Sequence, residues 1–284
     1  MAINNFIPTV WSETLCKNLD KQYVAISNCN REFEGEIKEK GSKVKICGIG
    51  NINIKDYTRN IAMSDPQPVD DYATELCIDQ AKYFNFQIDD IDKTQGSPKL
   101  MEEAMRCAAE ALANESDKYI YSLYQDAGYS LRDISCDPEK VINLIIKART
   151  KLYEQNVSAG TELVLEVSPK VAELIFKANI NLLSDNMGAL ENGCIGKIAG
   201  FKLFVSNNIE KTEDPNMNLN YYCFARTKRA IAFAEQISEV VAYRPQNRFA
   251  DAVKGLHLYG AKVVYPNEFI RLEISAGDNP VAPM

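Results

Sequence analysis

Few residues in this chain have the types and spacing for chemistry. His257 is its one histidine, a side chain that exchanges a proton near neutrality and acts as a general base when a carboxylate orients it. On a strand its same-face neighbours are Tyr259, Ala261 and Val263, and no carboxylate lies close in sequence, so a structural or interface histidine is the favoured reading. Asp89, Asp90 and Asp92 could gather a divalent cation or form an acid–base pair. At the exit of an alternating strand at least two of them point opposite ways, which favours a solvated strand end. The glycine clusters Gly48 to Asn51 and Gly193 to Gly200 lead into β sequence and read as turns, not as phosphate cradles. Eight cysteines stand singly, without a Cys-x-x-Cys pair, and predict reduced, mostly packing thiols and no metal site. Arg244 and Arg248 flank a Pro-Gln-Asn turn ahead of Asp251. They form either a local charge-paired loop or an intersubunit contact in which arginine fixes register. No catalytic residue, metal or cofactor is predicted.

Composition narrows the classes further. The chain has 284 residues, 46% of them apolar, and a formal charge of -7, enough for a sizeable core in one or two domains. No global basic field exists to grip nucleic acid or an anionic membrane. The first residues lack the charged and apolar regions of a signal peptide, and no later run reaches the ~20 apolar residues of a membrane span. The expectation is a protein made and kept in a cytosol.

The elements that must position these residues follow from periodicity. Residues 1–32 carry isolated anchors, Phe6 and Trp11 among them, without a sustained period, and read as a docking arm. From Phe33 to about Tyr72 short alternating pieces, with a turn at Lys40-Gly41, present Ile46, Ile52, Ile54 and Tyr57, and "SDPQPVDDY" closes them as a loop. Such a thin two-sided segment cannot bury a core alone and must find its partner elsewhere. "AKYFNFQIDDID" is a half-buried strand with Phe84, Phe86 and Ile88 on one face. Ser97-Pro98 opens a helix that Gly128 closes some thirty residues later, about 45 Å long, with a stripe of Met101, Met105, Ala108, Leu112, Tyr119 and Leu123. Asp137-Pro138 and Ser168-Pro169 start two further helices around the buried strand "TELVLEV". A glycine-punctuated loop then runs into the strand Phe201 to Val205, and a polar loop follows Ile209. After Gln236 long β sequence returns through Tyr265, ending in "FIRLEIS" and a tail.

This order, and the ordered segments "NNFIPTVWSETL", "GEIKEKGSKVKI", "IDQAKYFNFQIDDID", "GKIAGFKLFVSNN" and "AEQISEVVAYRPQNRFADAVKGLHLYGAKVVYP", resemble the major capsid proteins of tailed phages with the Hong Kong 97-type fold. The resemblance covers nearly the whole chain. It implies an α+β fold with an N-terminal arm (1–32), an E-loop (33–72), a P-domain with a long spine helix (73–132), an A-domain (133–235) and closing P-domain strands with a tail (236–284). It also implies a subunit that self-assembles as hexamers and pentamers into an icosahedral or prolate head. The partners implied are other copies of the chain, a separate scaffolding protein, a portal protein, a decoration protein and packaged DNA held without sequence specificity. Assembly takes place in the host cytoplasm. No long scaffolding extension precedes Phe6, and the loop between Ile209 and Tyr221 is too short for an inserted surface domain. The candidate intersubunit contacts are Phe6, Trp11, Ile46, Ile52, Ile54, Tyr57, Arg244 and Arg248. The alternatives are a host-derived encapsulating shell of the same fold and, from another class, an α/β hydrolase built on His257 or the Asp89 to Asp92 cluster.

Overall fold

The computed structural model describes residues 15, 17–19, 22–33, 43–49, 54, 56, 59, 71–89, 100–133, 137–158, 160–178, 194–213 and 219–276. In chain order the elements are β1 (Lys43–Ile49), β2 (Asp71–Cys77), β3 (Gln80–Asp89), α1 (Leu100–Ser122), β4 (Tyr129–Asp133), α2 (Pro138–Glu154), β5 (Leu163–Val167), α3 (Pro169–Lys177), β6 (Cys194–Ile198), β7 (Phe201–Val205), β8 (Lys211–Glu213), β9 (Leu219–Thr227), β10 (Ile231–Tyr243), β11 (Ala250–Val263) and β12 (Phe269–Ala276). They form three sheets: β1-β2, β10-β11-β3, and a mixed seven-stranded sheet in the order β4-β12-β9-β5-β7-β6, with β8 on β9.

Local sequence explains the helix starts. Asp137 accepts a hydrogen bond from the Glu139 N–H, Ser168 accepts one from the Val171 N–H, and a proline follows each cap. These are the two positions where a missing N–H costs nothing. α2 and α3 lay apolar faces (Val141, Ile145, Leu152; Val171, Ile175) on one side of the large sheet. α1 covers its other side, with Tyr121 edge-on to Phe224 at 5.3 Å. One turn's face away, Tyr119 meets Tyr259 of the three-stranded sheet at 5.6 Å. α1 therefore stands between the two larger sheets and packs on both.

Several expectations change. α1 has 23 residues, about 34 Å, and tightens into a 3-10 turn at Leu123–Asp126. The Ser97-Pro98 start lies outside the described residues. Gly128 is not a helix cap: its N–H donates to the Pro266 carbonyl, and a Cβ there would lie 2.3 Å from that oxygen. The buried face of α1 is Met105, Ala109, Leu112, Ala113, Ser116, Asp117, Ile120 and Tyr121, about one residue round from the expected stripe. Met101, Ala108, Tyr119 and Leu123 are only half-buried.

The region read as loop up to Tyr72 contains the start of β2, and the glycine-punctuated loop before Phe201 contains β6. β6 and β7 form a hairpin around Ala199-Gly200, both at positive φ (47° and 87°), the backbone a two-residue hairpin turn requires. β10 starts at Ile231, and "FIRLEIS" becomes β12, which lies in the large sheet between β4 and β9. Of the cysteines described, Cys29 and Cys223 are buried as expected, whereas Cys77 and Cys107 are exposed. β3 matches its reading: Phe84, Phe86 and Ile88 alternate with exposed Tyr83, Asn85 and Gln87.

Candidate functional site: assembly surfaces and a buried polar clamp

The pair β1-β2 has too little sequence for a core of its own and packs on the three-stranded sheet. Val44, Ile46, Leu76 and Ile78 pack with Ala232, Ala234 and Leu258 of the three-stranded sheet. Ile46 is 7% exposed in the single chain, so its burial needs no second subunit. Ile54 is 91% exposed. Phe6, Trp11, Ile52 and Tyr57 lie outside the described residues, as do Asp90 and Asp92.

The turn joining β10 to β11 carries Arg244 and Arg248, both exposed. Arg244 lies 3.9 Å from Asp251, the local pairing of the first reading. Beside them Phe249 is 84% exposed, an aromatic outside the contacts expected from sequence. On the outward face of β3, Tyr83 is 77% exposed. It borders a shallow groove of about 350 Å³ with Phe84, Asn85, Val241, Lys254, Gly255 and Leu256. Exposed aromatic and arginine side chains of this kind are the composition of protein–protein contacts.

His257 faces the other way and is 1% exposed. A carboxylate does orient it, contrary to the expectation from sequence: Glu235, from the neighbouring strand β10, lies 2.8 Å from Nε2. In the register Glu235 is opposite Tyr259 and Ile237 opposite His257, so the pair is diagonal across the ladder. The same carboxylate accepts from the Tyr23 hydroxyl at 2.5 Å and from Arg31 at 2.7 Å. Burial alone would raise Glu235, but His257, Tyr23 and Arg31 together hold it below the usual carboxylate range. The carboxylate's bonds are shared between His257 of β11 and two residues of the N-terminal segment, Tyr23 and Arg31, and the ring they fix is closed off from the surface. Asp89 ends β3 as an exposed residue, and no group of three metal-ligating side chains occurs among the described residues.

A second carboxylate and a guanidinium hold the same segment. Asp117 of α1 accepts from the backbone N–H groups of Val24 (3.0 Å), Ala25 (3.2 Å) and Ile26 (3.2 Å). These head the short 3-10 turn Ile26–Asn28, where unpaired N–H groups favour negative charge. Burial still pushes the Asp117 carboxyl up to about 7, the three N–H bonds offsetting only part of it. At the other end Arg226 of β9 donates to the carbonyls of Asn28 (2.5 Å) and Ala25 (3.1 Å) and to both oxygens of Glu166 on β5 (3.0 and 3.2 Å). The Asn28 amide also donates to Glu166. Complete burial pushes the Glu166 carboxyl up, and Arg226 and Asn28 pull it back.

One sequence signal for this clamp existed: Glu166 interrupts an apolar strand, and a polar residue at such a position needs a partner. Asp117 became visible only with the true buried face of α1.

No family model matches the chain, and no curated protein matches it. Solved structures do. A protein of Mycobacterium phage Che8 is 31% identical over 88% of this chain and 91% of its own, with a TM-score of 0.68. The capsid of Ralstonia phage GP4 superposes at a TM-score of 0.69 with 11% identity over 88% of this chain and 87% of that one. A virus-like particle from Pyrococcus furiosus shares the fold at 0.57, with 15% identity over 92% and 96%. Given the identity to the first across nearly the full length of both chains, the chain belongs to the family of tailed-phage major capsid proteins.

Proposed function

We propose that the protein is the repeating subunit of an icosahedral or prolate phage head, associating as hexamers and pentamers around the packaged genome. The full-length likeness to a phage relative carries this reading. In the family's terms, residues 1–32 are the arm, 33–72 the E-loop, 73–132 the P-domain with α1 as spine helix, 133–235 the A-domain, and 236–284 the closing strands and tail. β12 runs within the large sheet between β9 of the segment assigned to the A-domain and β4, which ends the segment assigned to the spine helix, so the large sheet draws strands from both segments. The role is structural, with no catalytic duty for His257, whose ring is sealed from solvent.

Arg244, Arg248, Phe249, Tyr83 and Ile54 are the described residues suited to intersubunit contact, because each leaves a large or cationic side chain exposed in the single chain. A scaffolding protein, a portal and a decoration protein are the further partners, and assembly takes place in the host cytoplasm. The net charge of -7 suits a container whose wall does not bind its DNA tightly.

The experiment is deletion of residues 1–12 and, separately, of 50–62, each followed by electron microscopy of the expressed protein. Loss of closed shells with a retained folded subunit supports these roles. Unchanged shells in both would contradict them.

A further inference from the structure

Residues 23–31 form polar bonds to three separate parts of the subunit. Asp117 on α1 takes three of their N–H groups, Arg226 on β9 binds two of their carbonyls, and Glu235 on β10 takes the side chains at both ends, Tyr23 and Arg31. Asn30 adds a bridge to the edge of β10: its N–H donates to the Ile231 carbonyl and its carbonyl accepts from Phe233, each at 2.9 Å. Arg226 belongs to the large sheet and Glu235 to the three-stranded sheet. The strands carrying them are joined by a single turn, Lys228–Ala230.

We infer that this segment is a rivet that fixes the angle between the two sheets, and that in the assembled lattice it holds the subunit to one bend and so the shell to one size. The inference rests on the capsid reading above. The sheets are also linked by a shared apolar core and by α1, through the edge contacts of Tyr119 and Tyr121. Aromatic edges tolerate some sliding and rotation, because their attraction is broad in angle. The clamp does not. Arg226 ties the segment to the large sheet through the Ala25 and Asn28 carbonyls, Asn30 and Glu235 tie it to the three-stranded sheet, and rotation of one sheet against the other misaligns one set or the other. Because the atoms are buried, a bond lost on rotation finds no water to replace it. The arrangement is therefore all-or-none, the property that holds identical subunits at one geometry. The apolar side chains of Tyr23, Ala25, Ile26 and Cys29 enter the main core between these bonds, so the rivet cannot slide out while the bonds hold.

The test compares the wild-type protein with Glu235→Gln and Arg31→Gln by amide hydrogen exchange of residues 24–31 and by the diameter distribution of assembled particles. Arg31 is partly exposed, so its variant folds even if the buried glutamine does not, and it loosens the same end of the segment. The expected result is exchange faster by about tenfold or more and particles spread over several diameters or left as open sheets. Wild-type-sized uniform shells from a variant whose segment exchanges fast would overturn the inference while leaving the capsid reading intact. Unchanged exchange in both variants would overturn it too, since the bonds would not then hold the segment. If the wild type itself formed no shell under any condition, it is the capsid reading that would fail.

Discussion

Arg226 and Glu166 form a bidentate ion pair whose side chains are both 0% exposed, with Nη2 and Oε1 3.0 Å apart. Isolated, either charge would be untenable in the core. The pair persists because the fork also donates to the Ala25 and Asn28 carbonyls and because Asn28 adds a bond to the carboxylate. The pair is thus inseparable from the N-terminal segment it holds.

Removing the cation should therefore be severe. Arg226→Met strands a buried carboxylate and two carbonyls, and the expected cost is about 3–5 kcal/mol in urea unfolding. Adding Glu166→Gln restores part of the loss, by removing the unpaired charge, but not the part that belongs to the carbonyls of Ala25 and Asn28. Full recovery in the double variant would mean that the segment draws no stability from Arg226.

Asp117 gives the clamp a pH dependence of definite sign. Its carboxyl is raised in the folded state to about 7 from an ordinary 3.8. The folded state therefore binds the proton more tightly, and the associated stability is complete below about pH 4 and is lost as pH rises through 7. Relative to Asp117→Asn, which does not titrate, the wild type should lose stability between pH 4 and 8, by about 4 kcal/mol at most. Glu235 has the opposite sign: its lowered value contributes stability that is lost as pH falls through the carboxylate range. A wild-type advantage over Asp117→Asn that grew with pH would mean that the three N–H bonds outweigh burial.

Gly260 tests the docking of β1-β2. A Cβ on this β11 residue would lie 2.1 Å from the Cys77 carbonyl oxygen at the end of β2. Backbone meets backbone there, with no side chain to yield, so Gly260→Ala should cost about 2 kcal/mol or more and loosen β1-β2. Gly160→Ala, which meets nothing within 4 Å, is the control and should stay within about 0.5 kcal/mol. Equal effects in thermal unfolding would place the β2–β11 crossing farther apart than described.

Phe249 separates assembly from folding. Exposed at the β10–β11 turn beside Arg248, it packs little in the single chain. Phe249→Ala should leave subunit stability within about 0.5 kcal/mol while lowering the yield of shells at a given concentration. A variant that unfolds more easily but assembles normally would assign Phe249 to the core.

The parts of this architecture that were legible in the sequence are those whose cause is local. Ser168-Pro169 and Asp137-Pro138 announce helix starts by chemistry within four residues, and the alternation Phe84, Phe86, Ile88 announces one strand face. What was not legible depends on distant residues. β6 needed β7 as a hairpin partner to become a strand, and β12 left the long strands for the large sheet because β4 and β9 offer it two edges. His257 acquired its carboxylate from Glu235, 22 positions earlier in the chain, through a pairing register that periodicity does not reveal. The clamp joins residues some 90 to 200 positions apart; only the oddity of Glu166 among apolar neighbours points toward it.

If this chain tiles a shell, negative-stain electron microscopy of the recombinant protein, alone and with a co-expressed scaffold, will show closed shells or hexameric and pentameric capsomers that increase with protein concentration. A uniform monomer at every concentration, with and without the scaffold, would contradict it.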